Sequence, residues 1–456
     1  MADSKAADAA TYEPCGGYRV PDGTELTGDL LASMLSDYKA SHLPRLAMLR
    51  REYEGDHAIL HQAAKAEYKP DNRLVANYAR QIVDSMVGYF LGRPAKLLGD
   101  DDATIQWLNA WGSANDVDDL NAELSKLADI YGQSYEVMWR DWMAEPHSTF
   151  VSPMNMFLIR DDSVAGKVFW AVRFWRDDNR FDNRPDTLRG TLYDATYETP
   201  FELVGGTVRF GEATEHGFPD VPAVEYVDNE ERQGLFEGVI TLIEAHDKAL
   251  SEKANDVEYY ADAYLKILGA HLDEETLKNL RDSRIINLEG RDASNVVVDF
   301  LPKPDADGTQ EHLIDRLERL IFTLSMVSDL SSESFDTSSG IAIKYRLQAM
   351  SDLALVKERK FKRGLGRRHM LLCGYAGNSL SPDAWEGVQV IMTRNLPNNL
   401  LEESQIAGNL SGITSEETQL SVLSNVPDPK AEMRRKADEQ EARAAALVPQ
   451  RGGQEG

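Results

Sequence analysis

Two long helical stretches, at 235–260 and 310–327, bracket a compact segment of mixed strand and helix pattern, and few folds accommodate that order. The first carries Val239, Leu242, Ile243, His246 and Leu250 at three- and four-residue spacings, the period of one helix face. Between the two stretches lie a strand YLKIL at 264–268, a helix DEETLKNLRD at 273–282, and strands RIINL and NVVVDFL, ended by Pro302 and Pro304. The expected arrangement is a small α/β unit presented on a helical stalk. A monomeric enzyme rarely needs that shape, because a stalk leaves helix faces exposed that a neighbouring molecule must cover.

The rest of the chain fits an α+β protein that is mainly α. Residues 1–25 are small, polar and rich in Gly and Pro, and are expected to be loose. From Thr27 to about Tyr53, Leu30, Leu31, Met34, Leu35 and Tyr38 follow a helical period. A second helix over 76–91 has so wide an apolar face that it is buried on more than one side, and Gly92 and Pro94 end it. Another helix is expected at 120–132. The region 133–226 then alternates short aromatic and β-branched runs with Gly, Asp, Asn and Pro, which predicts a mostly antiparallel sheet. A long helix is expected from Ser339 towards Cys373, a lone strand at 388–394, and short helices followed by a charged tail, KAEMRRKADEQEARAAAL, at the C-terminus.

Charge narrows the choice of partner. The chain has 76 acidic and 49 basic residues among 456, a net charge of −27. Tight coating of DNA requires many Lys and Arg on phosphates, so this balance argues against it. It remains compatible with a protein that keeps DNA close without gripping it. Two cysteines, Cys15 and Cys373, make no disulfide framework. The N-terminus lacks the regions of a signal peptide, and the best apolar run, IVDSMVGYFLG at 82–92, is too short to span a bilayer and contains Asp84. A soluble, non-secreted chain without a membrane partner is expected.

The stretch LSSESFDTSSGIAIKYRLQAM at 330–350 is the strongest candidate for chemistry, since a polar loop there runs straight into a helix N-terminus, where unpaired N–H groups attract phosphate. A nucleotide loop of the form G-x-x-x-x-G-K-[ST] is missing: DTSSGIAIK has one glycine and no GK pair. Helix capping by Ser338 or Ser339 is the plainer reading. His57 and His61 stand at metal-ligand spacing but without HExxH or a third ligand. The acidic clusters at 100–102 and 116–119 fit helix starts better than nuclease carboxylates, and VFWAVRFWRDDNR at 168–180 fits a strand better than a single-strand platform. No catalyst, cofactor site or metal site is expected. The run KERKFKRGLGRRH at 357–369 carries seven Lys and Arg against one Glu, and is a candidate for contact with nucleic acid or with acidic surface on an adjacent copy.

Taken together, REYEGDHAIL (51–60), NRLVANYARQIVDSMVGYFLGRPAKL (72–97), FPDVPAVEYVDNEERQGLFEGVITLIEAHDKALSE (218–252), SSESFDTSSGIAIKYRLQAM (331–350) and GITSEETQL (412–420) resemble the SPP1-type phage portal proteins, the head-to-tail connector subunits of tailed phages. The resemblance implies a homo-oligomeric ring, typically of twelve subunits, at one capsid vertex. Double-stranded DNA would be packaged and ejected through it without sequence specificity. It also implies docking to the terminase large subunit, which supplies the ATPase, to a head-completion adaptor, and to major capsid and scaffold proteins. The location implied is the virion, with the host cytoplasm during assembly.

The same resemblance divides the chain into a flexible N-terminus (1–26), a wing (27–234), a stem helix (235–260), a clip (261–308) and a second stem helix (309–327). A tunnel loop (328–339), a long wing helix with the C-terminal wing (340–411), a crown (412–445) and a disordered tail (446–456) follow. Ser331, Ser332, Glu333, Ser334, Phe335, Asp336, Thr337 and Ser338 would then face the channel. Lys344, Arg346, Lys357, Arg359, Lys360, Lys362 and Arg363 are the candidates for contact between subunits or with DNA. The competing expectations are a metal-dependent DNA-processing enzyme using the acidic clusters, and a monomeric helical adaptor.

Overall fold

The computed structural model describes residues 17–66, 69–177, 187–261, 265–268, 297–300, 307–329, 345–395, 400–423, 425–426 and 429–447. The chain divides into two compact units, one of residues 1–332 with 346–393 and one of 333–345 with 394–456. In the smaller unit lie helices Leu400–Asn409, Glu416–Ser421 and Pro429–Leu447. Ser415 caps the second of these by accepting from Thr418 N, and Lys436 pairs with Glu416 to tie it to the third.

In the larger unit the chain begins with strand β1 (Gly17–Val20), followed by α1 (Gly28–Asp37) and α2 (Leu43–Glu54). Residues 17–20 therefore depart from the loose terminus expected there: β1 adds a parallel edge to a sheet. The single helix expected over 27–53 is interrupted by one π turn at Tyr38–His42. The Tyr38 ring is fully buried, stacks on Phe157 with centroids 4.9 Å apart, and its hydroxyl donates to Pro153 O at 2.6 Å. Helix α3 (Tyr78–Leu91) buries Ala79, Ile82, Val83, Met86, Tyr89 and Phe90, the broad face that its sequence pattern predicts. Each such large side chain contributes roughly 1.5–3 kcal/mol on burial. Next come β2 (Lys96–Leu98), α4 (Asp102–Ala114) and α5 (Val117–Tyr131). The acidic clusters start these helices: Asp101 caps α4 through Ala103 N at 3.1 Å, and Asp118 and Asp119 occupy the first turn of α5.

The segment expected to be strand-rich forms β3 (Gln133–Arg140), β4 (Pro146–Val151), β5 (Met156–Asp161), β6 (Val168–Asp177), β7 (Thr187–Tyr193), β8 (Tyr197–Val204), β9 (Thr207–Phe210), β10 (Thr214–Glu215) and β11 (Ala223–Val227). One sheet runs in the order β1-β5-β6-β7-β8-β10, with β9 also on β8, and a smaller one runs β11-β3-β4. All pairings in both are antiparallel except β1 with β5. The Trp/Arg-rich run is the interior strand β6, whose Phe174 is buried against Tyr38. The strand expected to stand alone near 388–394 is shorter and is paired: Gln389–Ile391 lies antiparallel to β2.

Helices α6 (Ile240–Ala261) and α7 (Asp307–Ser325) are the bracketing pair. They run antiparallel: Lys253 meets Glu311 and Gln310 donates to Asp256 near one end, while His246 and Phe322 both pack on Tyr78 towards the other. Between them β12 (Leu265–Leu268) pairs antiparallel with β13 (Val297–Phe300); the helix and the strand expected at 273–288 lie outside the described residues.

A polar stripe fixes α6 to the N-terminal region. Asp247, Ser251 and Asn255, four residues apart and all buried, accept from the backbone N–H groups of Ala76, Leu74 and Asn72 at 2.8, 2.8 and 2.7 Å. The match is geometric, since four helical residues rise about 6.0 Å and two extended residues advance about 6.6 Å. Asp247 also holds His57 Nδ1 at 2.5 Å, while His57 Nε2 faces Glu52 O at 3.1 Å. His61 points elsewhere, to Asp56 at 2.5 Å, so the two histidines do not converge on a metal.

Burial opposes the His57 charge, but Asp247 and Glu52 outweigh it and hold the imidazole above its usual value. Folding stability from this group is therefore complete below about pH 6.5 and is lost as pH rises through the folded-state value. Urea titrations of wild type and His57→Gln should show a stability difference that shrinks as pH rises above about 6.5. A difference that stays constant as pH rises would refute the charged pair.

Candidate functional site

Helix α8 (Gln348–Cys373) carries the basic run and begins shortly after residues 330–344, which lie outside the described residues. Its buried positions include Met350, Ala354, Lys357, Phe361, Leu365, Arg368 and Leu372, spaced three or four apart, so two cations lie on its inward face. Arg368 is 1% exposed. Its Nε sits 2.8 and 2.9 Å from the two carboxylate oxygens of Glu136 on β3, and it donates to Asn121 Oδ1 of α5 at 2.9 Å. Tyr226 of β11 donates to the same carboxylate at 2.6 Å, and Ser148 of β4 donates to its other oxygen. Burial works against the guanidinium charge, yet Glu136 raises its proton affinity above the ordinary value. Gly364, one turn earlier, is required for this approach, because a Cβ there would stand 2.4 Å from the Tyr226 ring.

Lys357 forms the second anchor. It is 3% exposed, 2.6 Å from Asp129 of α5 and 3.3 Å from Asp228, with its ammonium 5.3 Å from the centre of the Phe90 ring. Two carboxylates share one cation here. Burial raises the proton affinity of Asp129 well above the usual carboxylate range, Lys357 opposes that rise, and Asp228 adds to it. His369 is driven the other way, down to about 3, by burial and by Arg368 beside it.

The described residues on either side of 330–344 are tied together. Met326, at φ 58°, turns the chain out of α7 in the left-handed conformation normally given to Gly or Asn. Val327 is buried, and Ser328 Oγ then donates to Arg346 O at 3.0 Å, joining the chain before residue 330 to the chain after residue 344. Ser331–Ser338 and Lys344 lie outside the described residues.

The remaining basic candidates separate into three groups. Lys357 departs from the expected surface role, because it faces inward and its counter-ions belong to its own chain. Lys360 pairs with Glu230 and Lys362 with Glu358 at 2.6 Å, leaving both at the surface. Arg346, Arg359 and Arg363 are exposed. Sequence reasoning missed Glu136, Asn121, Asp129, Asp228 and Tyr226; the available signal was Lys357 and Arg368 falling in phase with Phe361 and Leu365. Among the described residues no group of three His, Cys, Asp or Glu could hold a metal, and no helix is long and apolar enough to cross a membrane.

Removing one partner from a buried ion pair leaves the other charge uncompensated, at a cost of about 3–5 kcal/mol. Arg368→Ala should therefore lose about that much in urea unfolding, whereas Arg368→Met combined with Glu136→Gln should recover a large part of it. Equal losses in the single and double variants would contradict a coupled pair.

Comparison with known proteins gives these features a family. The model of phage portal proteins, SPP1 Gp6-like, matches residues 34–446, which takes in both sheets apart from β1, the α6–α7 pair, residues 330–344, α8 and nearly all of the C-terminal helices. A portal protein from Clostridium phage phiCD119 is 22% identical over 204 residues, covering 44% of this chain and 44% of that one. The matched stretch thus spans less than half the length of that relative. With the family match extending over most of its length, the chain belongs to the SPP1 Gp6-like phage portal proteins, a family of structural, non-enzymatic phage components.

Proposed function

We propose that this chain is the portal subunit of a phage capsid, assembling with copies of itself into a ring that surrounds a DNA channel at one vertex. The family match through residues 34–446 carries the reading. Further support comes from α6 and α7, an antiparallel pair suited to a stem, with β12 and β13 as part of the clip at its end. The loop after α7 is the tunnel loop in this account. Its closure by Ser328 and Arg346, next to a helix with two buried cations, gives it a fixed base. Residues 27–234 and α8 form the wing, and 412–445 the crown.

In this role net charge is functional. A channel with excess negative charge offers passing duplex DNA few multivalent phosphate contacts, so the DNA slides without being held. Terminase large subunit, a head-completion adaptor, and major capsid and scaffold proteins are the proposed partners, and the capsid vertex is the proposed location. Negative-stain images of the purified protein should show rings with a central hole, and a clean monomer across salt and protein concentration would overturn the proposal. Deleting 331–338 should leave rings intact while blocking packaging or DNA retention; normal packaging would reduce the segment to a connector.

A further inference from the structure

A cavity of about 560 Å³ lies between α8, the β1–β5 edge, β11 and the 228–232 turn, and it is strongly basic in an acidic chain. Seven Lys and Arg line it against two Glu. Arg19 and Arg160 are direct cross-strand partners in the parallel β1–β5 pairing, a placement that like charges disfavour. Arg160 and Arg232 both hold Glu225, at 2.6 and 3.0 Å, and Lys360 holds Glu230. The two acidic residues are thereby fully engaged. Lys167 and Arg363 are both exposed at this cavity, and among the described residues neither has a carboxylate within salt-bridge distance, Arg363 acting on Glu230 only from further off. The site has cationic capacity that the subunit itself leaves unmatched.

We propose that this cavity receives a carboxylate-bearing segment of a second copy of the chain, with Lys167 and Arg363 as its exposed cations; this rests on the ring reading above and deepens it. Charge complementarity selects the occupant. Each copy carries 27 more acidic than basic residues, so acidic surface is abundant on a neighbour while basic surface is scarce. The repulsion between two negative chains acts over a distance that ~0.15 M salt cuts to about 8 Å, so local pairing at the cavity prevails. Duplex DNA is the poorer occupant. Arg160 and Arg232 are committed to Glu225, Lys360 to Glu230 and Arg367 to Asp220, and Arg19 donates to Ser163 O, so few cations are left for a ligand that needs a row of phosphate contacts.

The test uses the full-length protein and the double variant Lys167→Glu/Arg363→Glu, which changes two exposed side chains that form no salt bridge among the described residues. Native mass measurement should show wild-type rings. The variant, with unchanged thermal unfolding of the subunit, should need about tenfold or more protein for half-assembly, as expected when charge reversal opposes an interfacial pairing. Carbodiimide coupling of a mixed light and heavy nitrogen-labelled wild-type sample should join Lys167 to a carboxylate of the other label. A monomeric wild type overturns both the ring and this docking site. Wild-type rings with an equally assembling variant, and Lys167 coupled only within its own chain, overturn the docking site alone. A variant that assembles normally but loses retention of a short DNA duplex assigns the cavity to DNA and likewise overturns it.

Discussion

The larger unit depends on the burial of one guanidinium. Arg368 reaches from α8 to Glu136 in the middle of β3, and Tyr226, Ser148 and Asn121 complete the hydrogen bonding from β11, β4 and α5. A buried ion pair is weak as a source of net stability, because desolvation offsets most of its attraction. It is strong as a source of position, since any other register of α8 would leave a charge unpaired in the interior. Lys357, three turns earlier, repeats the device with Asp129 and Asp228. Two such anchors on one helix fix both its rotation and its height against the small sheet.

That fixation connects packing to the proposed role. A ring that passes DNA needs parts that stay in place. Helix α8 is held by its buried ion pairs, and the Asp247–Ser251–Asn255 stripe holds α6, the partner of α7, along residues 72–76. The polar links at both places are internal to the subunit. Charges available to neighbours are consequently those the subunit does not use, such as Lys167 and Arg363.

Much of this was legible in the sequence. The apolar period of 78–91, the strand-rich character of 133–226 and the bracketing helices all have direct counterparts, since spacing alone dictates which faces must be covered. Asp101 capping α4 follows from helix-start chemistry. Other features were not readable. Strand β1 lies in a terminus of unremarkable composition, and its partner β5 is some 140 residues away, so no local pattern marks it. The pairing of 389–391 with 96–98 is equally non-local. Lys357 and Arg368 were readable as basic but not as buried, because a run of seven cations resembles a solvated face until the apolar phase of Phe361 and Leu365 is laid over it. Tertiary counter-ions, absent from any short window, decided which cations faced inward.

Amide hydrogen exchange tests the anchored helix most directly, with subunit-resolved protection along α8 compared with that of β3. Residues 354–372 should exchange only by global unfolding, at the same opening free energy as Tyr135–Val137 in β3. Exchange of 354–372 through a separate, lower-energy opening while β3 stays protected would contradict the claim that buried charge pins this helix to the sheet.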